Sequence, residues 1–187
     1  ANPLDSMAEL YFRMGKLDEA IAKYKEALEV KPDFFDTYSR IGYIFALKEN
    51  YDEAMKWVEK EIAVAPTQGA KGTGYWTKSF FYYWLGSQEK SLDNFKIVES
   101  LAEEVGSEYL KAIADWMIGW ILSDRGEFKE SRMRFKSWLD YCLKTMPDYV
   151  TSFTALFNIY LGLVDLKEGK IDSAKSRVAE IESQLPN

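Results

Sequence analysis

Residues 38–66 contain Tyr38-x-x-Ile41-Gly42-x-x-Phe45, then Ala54-x-x-x-Val58, and close on Pro66. Apolar residues three and four apart share one face of a helix, and the chain supplies two such runs, broken at Glu49. The second run opens as Tyr51-Asp52-Glu53-Ala54, where acidic side chains suit the positive end of a helix dipole. Gly42 and Ala54 are small, as two antiparallel helices in close contact require. The stretch predicts a helical hairpin.

The same unit recurs along the whole chain. The small residues that open each second helix, Ala20, Ala54, Ser91, Ser131 and Ala174, are spaced 34, 37, 40 and 43 apart, and Gly15, Glu49, Gly86, Gly126 and Gly169 repeat those steps at the turns. Two columns drifting together signify a repeat architecture. Apolar or aromatic residues fill two more: Tyr24, Val58, Phe95, Phe135, Val178, and Tyr11, Phe45, Tyr82, Leu122, where Asp165 breaks the series; of these, Tyr11, Tyr24, Phe45, Phe95 and Phe135 are expected to be buried between helices. Ala8, Gly42, Ser79, Gly119 and Gly162 mark where paired helices approach. Five hairpins are expected, over about 3–33, 35–66, 73–106, 108–146 and 149–185, in a single domain spanning 1–187.

This pattern resembles the tetratricopeptide repeat, in which an aromatic, Leu-Gly and Tyr are followed by Ala, Phe and a closing Pro. The first unit fits it as the second does, with Leu4-x-x-Met7-Ala8-x-x-Tyr11, Ala20-x-x-x-Tyr24 and Pro32. Units three to five keep the small and turn positions but stretch the second helix or its exit. The resemblance implies an all-α, right-handed superhelical array of antiparallel helix pairs, a TPR-like solenoid. It also implies a protein–protein interaction scaffold rather than an enzyme, with a concave groove lined by the first helix of each hairpin. One groove ligand of such repeats is the carboxylate tail of heat-shock chaperones, held by Lys, Asn and Arg. Asp5, Glu9, Arg40, Thr73 and Thr77 stand at the equivalent positions, and the two acids would repel a carboxylate.

Columns in register along the leading helices name the groove. One runs Asp5, Ser39, Trp76, Trp116, Ile159; another Glu9, Tyr43, Phe80, Trp120, Leu163; a third Phe12, Ala46, Tyr83, Ser123, Leu166. Neighbouring columns hold Arg13, Leu47, Trp84, Asp124, Lys167, then Ser6, Arg40, Thr77, Met117, Tyr160, and Asn2, Asp36, Thr73, Ile113, Leu156. Units three and four place Trp76, Phe80, Tyr83, Trp84, Trp116 and Trp120 among twelve such positions, where the chain's 16% aromatic content would give about two. Stiff aromatic surface dominates binding hot spots, so this half of the groove is expected to hold apolar side chains of a partner protein or peptide, with Tyr43, Arg40 and Tyr160 beside it. The rings of units three and four either share one open hollow or pack on each other as filled core. A receptor site for a small hydrophobic or cationic ligand is the third reading.

Composition narrows the chemistry. The 187 residues carry 24 basic and 30 acidic side chains, a net charge of −6, which offers no basic field to nucleic acid. There is no histidine, so the commonest general base and metal ligand is missing. Cys142 is the single cysteine and lacks a base in any recognisable motif, so neither catalysis nor a cofactor is expected. Its solitude requires no oxidising compartment; a cytoplasmic location is favoured, with a mature periplasmic chain or an excised domain compatible. No apolar run approaches the roughly 20 residues that span a bilayer, so no membrane insertion is expected. Pro66 to Gly74, rich in glycine, reads as a flexible inter-repeat joint. The chain begins at Ala1 and stops at Asn187, just after the fifth hairpin. That suits a structural or self-association module cut from a larger protein, oligomerising through an uncapped last hairpin.

Overall fold

The computed structural model describes residues 3–183, and every regular element among them is helical. The helices follow in pairs: α1 (Pro3–Arg13) with α2 (Leu17–Val30), α3 (Asp36–Leu47) with α4 (Tyr51–Val64), and α5 (Gln68–Trp84) with α6 (Gln88–Val105). Then come α7 (Glu108–Asp124) with α8 (Phe128–Thr145) and, after a 3-10 turn at Pro147–Tyr149, α9 (Val150–Lys167) with α10 (Ile171–Ser183). Asn2 of the groove columns and the closing residues 184–187 lie outside the described residues. Two compact units divide at Val105 and Gly106, the first with three hairpins and the second with two. In unit 1, α2 packs on α3 and α4 on α5; in unit 2, α8 packs on α9.

The turn column does what its glycines imply. Gly15, Glu49, Gly86, Gly126 and Gly169 all have positive φ, between 59° and 82°, the left-handed conformation that ends a helix. The amide after each donates to the carbonyl of the apolar column: Lys16 to Tyr11 at 2.9 Å, Asn50 to Phe45 at 2.9 Å, and Lys170 to Asp165 at 2.8 Å. Asp165 therefore keeps its backbone duty although its side chain departs from the series.

The small-residue columns meet as expected. A methyl on Gly119 would sit 2.9 Å from the ring of Phe135, and one on Gly42 would sit 3.1 Å from the Ala54 carbonyl. Where serine replaces alanine in the second helix, its hydroxyl donates across this contact: Ser91 to the Ser79 carbonyl at 2.8 Å, and Ser131 to the Gly119 carbonyl at 2.7 Å. Gly162 differs, because its nearest neighbour would be the Arg177 Cδ at 3.8 Å.

Three expectations need correction. Pro66 to Gly74 is not an open joint: α5 starts at Gln68, with the Thr67 hydroxyl accepting from the Ala70 amide at 3.1 Å. Its glycines let two helices touch. Gly72 and Gly74 are buried, and a methyl on Gly74 would lie 2.7 Å from the Ile62 Cγ1 of α4. In the core, Tyr24, Phe95 and Phe135 are buried, but Tyr11 and Phe45 are only half-buried beneath the ammoniums of Lys16 and Lys25. Val178 closes its column exposed, since α10 packs against α9 and presents the far face outward. Finally, Pro147–Lys167, 21 residues, is long and apolar enough by length and composition to cross a bilayer. In this fold it is a hairpin helix whose Asn158 and Asp165 are buried and bonded to Arg177.

Candidate functional site in the first unit

The leading helices of unit 1 carry a chain of rings. Phe12 of α1 meets Tyr43 of α3 edge-on at 6.2 Å, Tyr43 leans on Trp84 of α5 at 5.9 Å, Trp84 meets Phe80 at 4.5 Å, and Phe80 stacks on Trp76 at 5.4 Å. Beside this chain lies a cavity of about 280 Å³ lined by Phe12, Tyr43, Trp76, Phe80, Ile44 and Phe81, with Glu9, Tyr24, Ser39, Arg40 and Thr77 as its polar wall. Eight of these eleven residues belong to the groove columns read from the sequence. Ile44, Phe81 and the buried Tyr24 do not; they enter from neighbouring helical turns and from α2, which column alignment along leading helices leaves out. Tyr83 is half-buried and not part of the wall.

The polar wall is internally paired. The Glu9 carboxylate accepts from the Arg13 Nε at 2.8 Å, the Arg40 Nη1 at 2.8 Å and the Tyr24 hydroxyl at 3.1 Å. The Arg13 bond, then those of Tyr24 and the charge of Arg40, outweigh burial and hold that carboxyl below the usual range. Burial pushes the Tyr24 phenol up. Asp5 accepts from the buried Thr37 hydroxyl at 3.1 Å.

Behind this wall stands Glu61 of α4, fully buried, with no hydrogen-bond partner for either carboxylate oxygen. The Ser39 hydroxyl beside it is given to the Asp36 carbonyl at 2.9 Å. Burial, opposed in part by the Ser39 hydroxyl and reinforced by the charge of Asp36, raises the Glu61 carboxyl to about 8, so it is largely protonated at neutral pH. Sequence reading passed over Glu61 because an acid on a helix is normally solvated. Its column partners offered the signal: at seven residues from Ala54 and three from Val58, it falls on the buried face.

In unit 2 the same columns are packed. Tyr160 is a hub, 5.1 Å from Trp120, 5.3 Å from Phe135, 5.4 Å from Trp138 and 6.5 Å from Trp116. The half-buried Trp116, Trp120 and Tyr160 cover a buried cluster of Phe135, Leu161 and Val164. Farther round α9, Leu156, Ile159, Leu163 and Leu166 form an exposed stripe at spacings of three, four and three. Cys142 is buried and its thiol is pushed up by that burial, which makes it a poor nucleophile.

Paired helices closed by left-handed turns and joined through small residues define a helical-repeat protein. Profiles described as TPR repeat and as tetratricopeptide repeat match residues 8–49 and 35–68; those residues carry tetratricopeptide-type repeats, and the remaining described helices repeat the same paired build. Among solved structures it is similar to BtubC from P. vanneervenii, at 15% identity and TM-score 0.78 over 98% of this chain and 82% of that one. It also resembles the apo form of RapI, at 14% identity and TM-score 0.76 over 97% and 68%. A third is YrrB, described as a TPR protein with an unusual peptide-binding site, at 18% identity and TM-score 0.59 over 99% and 86%. These likenesses speak for the fold. In sequence, 140 residues are 24% identical to the CTR9 homolog of Arabidopsis thaliana, covering 73% of this chain but only 12% of that protein.

Proposed function

We propose that unit 1 is a docking site for a segment of a partner protein, which places one side chain in the cavity walled by Tyr43, Trp76 and Phe80. The observation that carries this is the ring chain itself: rings from three successive leading helices border an unfilled space of about 280 Å³, close to the lower end of ligand-pocket volumes. Rings on three stiff helices are pre-positioned, so binding loses little conformational entropy. YrrB is described as binding peptide, and the same fold here makes that mode the natural one. Glu9 in the wall, with Asp5 one turn earlier on the same helix, speaks against a carboxylate tail as the ligand. A random peptide library displayed on phage and selected on this chain tests the reading. Enriched peptides should share one fixed position, and their affinity should drop about ten-fold or more for Phe80→Ala and for Tyr43→Ala, as for central hot-spot residues. Failure to enrich, or indifference to both substitutions, overturns it.

A second reading rests on unit 2. The exposed stripe of Leu156, Ile159, Leu163 and Leu166 is an apolar helix face, and such faces mark association surfaces. Light scattering should then show a concentration-dependent assembly that Ile159→Asp with Leu163→Asp abolishes; a monomer at all concentrations removes the idea.

A further inference from the structure

Three carboxylates are buried among the described residues: Asp115, Asp165 and Glu61. The fold gives the first two their counter-charges. Asp115 accepts from the Arg134 Nη1 at 2.7 Å and the Ser137 hydroxyl at 2.6 Å. Asp165 accepts from the Arg177 Nε at 2.7 Å, from Arg132 and from the Ser173 hydroxyl. Glu61 has none: its polar neighbour, the Ser39 hydroxyl, eases its ionisation only in part because that hydroxyl is given to the Asp36 carbonyl, and the charge nearest in effect is another acid, Asp36. A buried acid without donors is costly and calls for a specific reason.

Its place suggests that reason. Glu61 adjoins Ser39, and Ser39 lines the unit 1 cavity together with the faces of Trp76 and Phe80. The arginine in that wall, Arg40, is already committed to Glu9 and Tyr24. Glu9, the acid of the wall, is already balanced by Arg13 and Arg40, so an ionised Glu61, with Asp36 near it, leaves uncompensated negative charge next to Ser39. A guest bearing positive charge at the Ser39 end would feel the aromatic faces at short range and the Glu61 carboxylate through a poorly screened interior.

We infer that the side chain received by this cavity is a lysine of the partner, its methylenes against Tyr43, Trp76 and Phe80 and its ammonium at Ser39, supplying the counter-charge that Glu61 lacks. This rests on the docking role proposed for unit 1 and names the chemistry of what docks. An alkyl stem satisfies the rings and an ammonium satisfies the acid, so neither a purely apolar guest nor a carboxylate fits both ends of the site.

Three guests of one length test it on the unaltered chain: n-butylammonium, n-butanol and n-butyrate. Each is titrated at pH 8.5, where Glu61 is mostly ionised and an alkylammonium keeps its proton, while the indole N–H resonance of Trp76 is followed by NMR, that signal being assigned by its disappearance in Trp76→Phe. Butylammonium should bind about ten-fold more tightly than butanol, and butyrate more weakly than either. In Glu61→Gln the ammonium preference should vanish while butanol binds as before, which also shows that the cavity has survived the substitution. Equal binding of ammonium and alcohol would leave the docking site standing and remove the lysine. Tightest binding by butyrate would overturn the inference in favour of Arg40 as the selective group. If none of the three shifts the resonance, the cavity is closed to guests and the docking role falls with the lysine.

Discussion

The Asp165 carboxylate of α9 accepts a hydrogen bond from the Arg177 Nε of α10 at 2.7 Å. That bond explains the one break in an otherwise apolar column. Asp165 is buried, and burial alone would raise its carboxyl, yet the bonds from Arg177, Arg132 and Ser173 hold it at about 2. The depressed value makes its contribution to stability present above the ordinary 3.8 and lost as pH falls from there toward 2. Asp165→Asn leaves two arginines undercompensated and should cost unit 2 on the order of 3 kcal/mol at pH 7 in urea unfolding, with the difference from the parent narrowing in acid. An unchanged midpoint would contradict the role given to this pair.

Glu61 should give the opposite pH response. Its folded carboxyl at about 8 lies above the ordinary 4.5, so the unfolded chain ionises first as pH rises. Stability is greatest below 4.5, declines through the interval and levels off beyond about 8. Glu61→Leu should remove that slope from unit 1 and stabilise it by a few kcal/mol at pH 8. Thermal unfolding across pH 5 to pH 9 is the measurement, and a slope that persists in the variant refutes the assignment.

Glu49 holds φ at 59° where its four counterparts are glycine. A side chain in the left-handed region costs about 1 kcal/mol, partly offset by the greater unfolded freedom of glycine. Glu49→Gly should therefore raise the stability of unit 1 by roughly 0.5 kcal/mol, read as a higher denaturant midpoint. A loss would show that the Glu49 side chain does more than occupy a turn.

Two glycines of one column should part company. Gly119→Ala drives a methyl to 2.9 Å from the ring of Phe135, which is fully buried and cannot yield, and should destabilise unit 2 by about 2 kcal/mol. Gly162→Ala meets nothing nearer than 3.8 Å and should stabilise it by about 0.5–1 kcal/mol through helix propensity. Equal effects would refute the close approach of Gly119 to Phe135.

The hairpins were legible because their signals are local. A positive φ, a tight helix crossing and an apolar face each leave a residue type at a fixed offset, and five copies in register make the signal hard to mistake. The glycines of residues 69–74 misled because glycine serves both as a helix breaker and as a contact point. Which role applies depends on Ile62, a residue on another helix. The groove columns identified Trp76, Phe80 and Tyr43 of the cavity wall, but they also named Trp120 and Tyr160, which the second unit packs against Phe135.

The amino-acid sequence by itself determined the repeat and its turns, since these follow from short-range spacing. Only the tertiary structure decided which rings stand beside empty space, which buried acids receive an arginine and which buried acid, Glu61, receives none. Those outcomes depend on side chains brought together from helices distant in the chain, where solvent exclusion rather than spacing sets the energy of a charge.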